Sequence, residues 1–249
     1  MATPETAPVL GFTRAVRSRK PLKICITGPA GSGKTYGMLT LCAAINAEVR
    51  GDAPFGVIDT ENESASLYAD EFTFDTCPLR PPYTSKQYGA AIRAARDAGH
   101  LVIGIDSLTH HWDGPGGILE RKAQFDAANP RSNSYTNWRD FTRENTTFYS
   151  NLLQSSLHMV CTLRSKMEYE QTVGPDGKKK VEKVGLAPIA REGSDYEFDL
   201  VFDLQQDHKA SVSKDRTRQF DGKVWDLSDA DTARTLLTWW RAGSPTATA

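Results

Sequence analysis

Short apolar runs alternate with longer, half-polar stretches along this chain, the pattern of an α/β protein. Residues 22–26 hold Leu22, Ile24, Cys25 and Ile26 and predict a buried strand. Residues 101–105 are apolar without interruption, as expected for a strand covered on both faces of a parallel sheet. Residues 55–59, 157–163, 200–204 and 209–213 predict further strands, and residues 72–75 a short one. Between the first two runs, residues 35–47 place Met38, Leu41, Cys42 and Ile45 on one side of a helix. Residues 85–98 predict an alanine-rich helix with Thr84 and Gln87 at its cap. Residues 135–153 predict a third, with Trp138, Phe141 and Phe148 on its apolar side, and Ser228 and Asp231 suit the start of a last helix through Trp240.

Residues 113–135, holding Gly, Pro, Asn and Ser, read as a long connection. Residues 164–191 are polar around Gly174, Pro175, Asp176 and Gly177, a turn signal that predicts a β-ribbon. The expected organisation is an arm over residues 1–20, a core over 21–242 and a disordered tail over 243–249.

Composition narrows the class. A chain of 249 residues with 39% hydrophobic content suits one large α/β domain. No stretch approaches the roughly 18 apolar residues of a membrane span, and the first twenty residues carry no apolar signal core, so a cytoplasmic chain with no membrane partner is expected. Cys25, Cys42, Cys77 and Cys161 lack C-x-x-C spacing and read as reduced thiols. The net charge of −1 excludes a global basic signature, so contacts with nucleic acid must come from local patches.

Residues 28–35 read GPAGSGKT and satisfy G-x-x-x-x-G-K-[ST] between a predicted strand and a predicted helix. Gly28, Pro29, Ala30, Gly31, Ser32 and Gly33 would wrap phosphates with backbone N–H groups at a helix N-terminus. Lys34 would reach the β- and γ-phosphates, and the Thr35 hydroxyl would hold Mg²⁺. The ligands implied are ATP and Mg²⁺. Asp106 ends the apolar run 101–105 and would sit beside Thr35 on the metal's water. The residue after it is Ser107, where many AAA+ ATPases carry their catalytic Glu. Glu61, just past residues 55–59, is the candidate for orienting the attacking water, with Glu63 the nearest competitor.

P-loop, then Asp-x-Glu after the next strand, then a strand ending in Asp-Ser, resembles the RecA-type ATPase core. The motifs GPAGSGKT, VIDTENESASLYAD, IDSLTHHW, TLRSKMEY, GLAPIAREGSDYEFDLVFDL and SKDRT, in that order, look like the phage-encoded RecA-like ATPases of the Sak-type annealing group. That resemblance implies an α/β RecA-like P-loop core: a mostly parallel central sheet flanked by helices, with a β-ribbon insertion. It also implies DNA-stimulated ATP hydrolysis, homo-oligomers in a filament or ring, and single-strand annealing in phage recombination in the host cytoplasm, alongside a single-strand-binding protein. RecA ends the matching strand with a Gln that senses the γ-phosphate; here Thr162 stands near that place, and Thr162 or Arg164 takes over or the coupling is looser. An accessory ATP-switch protein such as a helicase loader and a small-molecule P-loop phosphotransferase stay open, although no Arg-rich lid supports the latter.

In RecA-like folds the two loops after these strands line the DNA path, here residues 109–135 and 164–191. Arg164, Lys166, Lys178, Lys179, Lys180 and Arg191 are the candidate phosphate contacts for single-stranded DNA, and Tyr169 a stacking partner. Lys214 and Arg216 occupy the place from which such folds reach a neighbour's γ-phosphate, which makes them catalytic candidates in trans. Residues 11–15 resemble the Phe-x-x-Ala polymerisation motif of eukaryotic recombinases, with Phe12 and Ala15 as its anchors. His110 and His111 find no third ligand at useful spacing and are expected to pack.

Overall fold

The computed structural model describes residues 12, 14–173, 179–194 and 197–245, with the backbone alone over 167–173 and 179–185. Strand β1 (Lys23–Gly28) lies central in a sheet with β2 (Phe55–Asp59), β3 (Phe74–Pro78), β4 (Val102–Asp106), β5 (His158–Val173) and β7 (Leu200–Leu204). These pair in parallel in the order β3-β2-β4-β5-β1-β7. Strands β8 (Lys209–Asp215) and β9 (Trp225–Asp226) extend the β7 edge antiparallel.

Alternation along β1 divides the core in two. Ile24 and Ile26 face α1 (Lys34–Val49) and α6 (Ala230–Arg241), packing with Met38, Leu41, Ile45 and Leu236. Cys25 faces the other layer, where Tyr88 of α2 (Ser85–Asp97) and Phe148 and Leu152 of α5 (Ser134–Gln154) pack with Ile103, Ile105 and Met159. Helices therefore cover both faces, as a parallel sheet requires. Gly104 in β4 lets α1 come close, because a Cβ there would lie 2.9 Å from the Met38 sulfur. The arrangement is α/β with a mostly parallel central sheet, as expected.

The caps are local. The Thr84 hydroxyl accepts from the Gln87 N–H at 3.3 Å, and Asn133 accepts from the Tyr135 N–H at 2.9 Å. The last helix is capped by Asp229, which accepts from the Asp231 N–H, and not by Ser228, whose hydroxyl donates to Asp226.

Two expectations on element positions need correcting. The strand placed at residues 72–75 lies at Phe74–Pro78, on an edge where its side chains are mostly exposed and its apolar pattern is correspondingly weak. The long connection at 113–135 contains helix α4 (Ile118–Ala128), which follows the short α3 (Thr109–Asp113). Only Ile118 of α4 is buried, so no apolar stripe announces it. Polar contacts with the first half of α5 hold it: Arg121 donates to both oxygens of Glu144 at 2.9 and 2.7 Å, and Asn137 donates to Asp126 at 2.7 Å.

Strand β5 outruns the sheet. Its pairing with β1 ends at Arg164, opposite Gly28, and from Ser165 onward it pairs antiparallel with β6 (Lys179–Pro188). This is the predicted ribbon; its turn and Lys178 lie outside the described residues. The tail expected from Gly243 is paired at its start, since Ser244 bridges Ser18 and the Arg19 N–H donates to the Ser244 carbonyl at 2.8 Å. Residues 246–249 lie outside the description.

Candidate nucleotide site

The carboxyl ends of β1, β2, β4 and β5 open on one crevice, the place where open parallel sheets bind ligands. Residues 28–35 fill its floor. Gly33 holds the left-handed conformation at the start of α1, with φ +90°. A side chain is strained there, so glycine is required. The loop folds on its own carbonyl at Pro29, which accepts from the Ser32 hydroxyl at 2.9 Å and from Lys34 Nζ at 2.7 Å. Ala30 and Gly31 are exposed at the crest.

Thr35 and Asp106 meet beside the loop. The Thr35 hydroxyl donates to one Asp106 oxygen at 2.6 Å, and the Thr162 hydroxyl donates to the other at 2.5 Å. Burial pushes the Asp106 carboxyl above the ordinary aspartate value, against the pull of these two hydroxyls. Burial also lowers the Lys34 ammonium, and Asp106 and Glu61 partly restore it. A hydroxyl and a carboxylate at the phosphate mouth are hard oxygen donors of the kind Mg²⁺ takes, so the residues fit that ion.

Asp59 ends β2 as Asp106 ends β4, and the two are register partners. Asp59 accepts the N–H groups of Glu61 at 2.7 Å, Glu63 at 3.2 Å and Ala65 at 3.1 Å, which shapes the loop carrying Glu61. Glu61 turns into the crevice, where it accepts from the Ser107 hydroxyl at 3.0 Å and from Arg164 Nε at 2.8 Å, and pairs with Arg164 Nη2 as well. Burial alone would raise its carboxyl; the Arg164 bonds and charge outweigh that and hold it below the usual glutamate value. Glu63 instead pairs with Arg80 on the surface.

Thr60 ties the two strand ends together. Its N–H donates to the Asp106 carbonyl at 2.6 Å, and its hydroxyl accepts from the Ser107 N–H at 2.8 Å. His110 Nδ1 lies 2.7 Å from that hydroxyl, and its ring stacks on Tyr83. His111 is buried against Phe148, with ring centroids 3.9 Å apart, and bonds Ser85. Both histidines thus make packing and loop contacts. Thr60 carries no signal in the sequence for the role it takes, and Thr162, which the sequence placed near the γ-phosphate, bonds Asp106, a partner 56 residues away.

The remaining candidates are dispersed. Arg164, which the sequence placed both in the DNA patch and as a candidate γ-phosphate sensor, lies in the nucleotide crevice, because its strand position pairs with Gly28. Lys166 is exposed on β5. The backbones of Tyr169, Lys179 and Lys180 belong to the ribbon, with Tyr169 opposite Lys183. Arg191 follows β6, half-buried, and its Nη1 has no hydrogen-bond partner among the described residues. Lys214 and Arg216 stand at the far end of the sheet: Lys214 pairs in register with Val201, and Arg216 binds Asp199 at 3.0 Å, whereas the P-loop end of β7 is Leu204. Phe12 and Ala15 are exposed.

No described helix is long and apolar enough to cross a membrane, and the described residues contain no group of three or more His, Cys, Asp or Glu placed for a metal. No curated protein matches the chain. Among solved structures it is similar to a KaiC-like protein from the hyperthermophilic archaeon Pyrococcus horikoshii OT3, with 14% identity over 85% of this chain and 93% of that one and a TM-score of 0.47. A model of the family AAA_24, described as an AAA domain, matches residues 20–229. With a complete P-loop beside a strand-terminal acid and a family match over most of its length, the chain belongs to this AAA domain family and is a P-loop ATPase.

Proposed function

We propose that this chain hydrolyses ATP with Glu61 as the base and couples the reaction to assembly on single-stranded DNA. The observation that carries the chemistry is the meeting of Lys34, Thr35, Asp106 and Glu61 at the carboxyl ends of the strands, with Glu61 brought in by the Asp59-templated loop. ATP lies with its phosphates on the N–H groups of residues 28–35, and Lys34 exchanges the Pro29 carbonyl for phosphate oxygens. Thr35, and Asp106 through water, would hold Mg²⁺, which would supply charge neutralisation on the phosphates. Glu61 orients a water molecule in line with the γ-phosphorus. The water oxygen bonds to phosphorus as the bond to the bridging oxygen breaks, its electron pair leaving with ADP. The water proton passes to the Glu61 carboxylate.

The DNA reading rests on the resemblance to Sak-type annealing ATPases and on the β5–β6 ribbon, which rises from the crevice at Arg164 and carries Lys166, Lys179 and Lys180. Lys214 and Arg216 stand too far along the sheet to serve their own nucleotide, so their catalytic role is toward a neighbour's. Phe12 and Ala15 in the arm supply the oligomer contact, and a single-strand-binding protein is the expected companion in phage recombination.

Steady-state ATP hydrolysis measured with and without single-stranded DNA tests this function. Stimulation by DNA is expected. Hydrolysis indifferent to DNA would leave the ATPase and remove its coupling to annealing.

A further inference from the structure

Arg164 and Glu61 form the one described ion pair that lies within the nucleotide crevice. The guanidinium engages both carboxylate oxygens, through Nε at 2.8 Å and through Nη2, and Ser107 adds a third donor to the same group. Paired this way, a carboxylate is a weak acceptor for a water proton, because its lone pairs and its charge are already committed.

The position of Arg164 gives this pair a competitor. Its Cα is the register partner of Gly28, the first residue of the phosphate loop. Its backbone is fixed on both sides: its N–H donates to the Thr109 hydroxyl at 2.8 Å, and its carbonyl accepts from the Ile189 N–H at 2.7 Å. The side chain is the part able to trade partners, and it is 47% exposed against 17% for Glu61. A terminal phosphate resting on residues 28–35 carries more charge than a carboxylate and presents the same planar fork with oxygens.

We propose that Arg164 is a positioning residue that clamps Glu61, and that the terminal phosphate of a bound nucleoside triphosphate competes for the same guanidinium donors and releases the carboxylate for work as a base. A nucleoside diphosphate lacks that phosphate and leaves the clamp closed. This inference rests on the reading of Glu61 as the base.

The test is equilibrium binding of ADP and of a non-hydrolysable ATP analogue, each with Mg²⁺, to the full chain. Arg164→Ala is expected to weaken the analogue on the order of 10- to 100-fold, the span of a charged hydrogen bond, with ADP affinity held within about twofold. Arg164→Lys, which keeps the charge without the fork, is expected to fall between. Glu61→Gln removes the competing anion, so it should tighten the analogue while ADP affinity stays as it was. Equal weakening of both nucleotides by Arg164→Ala would overturn the clamp, as would a Glu61→Gln protein that binds the analogue no more tightly than wild type. The Glu61→Gln arm stands even if the alanine variant fails to fold. Wild-type protein that binds neither nucleotide would overturn the ATPase reading as well, whereas normal binding with an unchanged ratio removes the clamp alone.

Discussion

Two aspartates end neighbouring strands in this site, and their surroundings assign them different work. Asp59 is filled by three backbone N–H groups, so it builds a loop and has little left for a ligand. Asp106 meets two threonine hydroxyls that can be displaced or shared, so it suits a metal's water shell. The histidines show the same division by environment. Burial pushes His111 and His158 from 6.5 to about 4, against Glu144 for the first and helped by the Lys23 charge for the second. The unfolded chain takes a proton at each near pH 6.5 that the folded chain refuses until about pH 4. Folding stability therefore falls as pH drops through that window, by about 3 kcal/mol for each histidine. Urea unfolding of wild type and His111→Gln between pH 7 and pH 4 should show a shallower acid loss in the variant. Parallel losses in the two proteins would mean that His111 protonates as readily folded as unfolded.

At the scale of elements, β2 and β4 were legible because they are apolar runs that end in acids, and α1 because glycine and lysine punctuate its start. β3 was misplaced by two residues at its start because an exposed edge strand carries a weak pattern. Helix α4 was missed because an ion pair and a hydrogen bond to α5 hold it, and pairs between distant residues leave no periodicity. The site divides along the same line. GPAGSGKT is contiguous and could be read directly. The Thr162–Asp106 contact spans 56 residues and the Arg164–Glu61 pair spans 103, so only the fold reveals them. The ribbon is the element to which the proposed function assigns DNA binding. Replacing Lys178, Lys179 and Lys180 by Ala should weaken single-stranded DNA binding and flatten its salt dependence, by a slope of about 0.7 for each phosphate left without its lysine. Fluorescence titration at several salt concentrations reads both quantities, and an unchanged slope would move the DNA path off the ribbon.

Across the whole molecule, residues 17–19 meet residues 239–244 on the side away from the nucleotide. Arg17 and Arg19 lie over Trp239 and Trp240 of α6, and Ser18 pairs with Ser244. This anchors the arm and leaves Phe12 exposed beyond it. Lys214 and Arg216 sit at the opposite end of the sheet from the P-loop, and the proposed function assigns them to a neighbour's nucleotide. The groups proposed for nucleotide binding and water attack, Lys34, Thr35, Asp106 and Glu61, lie together in one crevice of one chain. The measurement that tests this most directly is steady-state ATP hydrolysis by purified wild-type, Lys34→Ala, Glu61→Gln and Glu63→Gln proteins under one set of conditions. Lys34→Ala should abolish hydrolysis, and Glu61→Gln should reduce it by about 10²- to 10⁴-fold while nucleotide still binds, with Glu63→Gln near wild type. Wild-type rates in Lys34→Ala, or a loss in Glu63→Gln that Glu61→Gln does not share, would contradict the account.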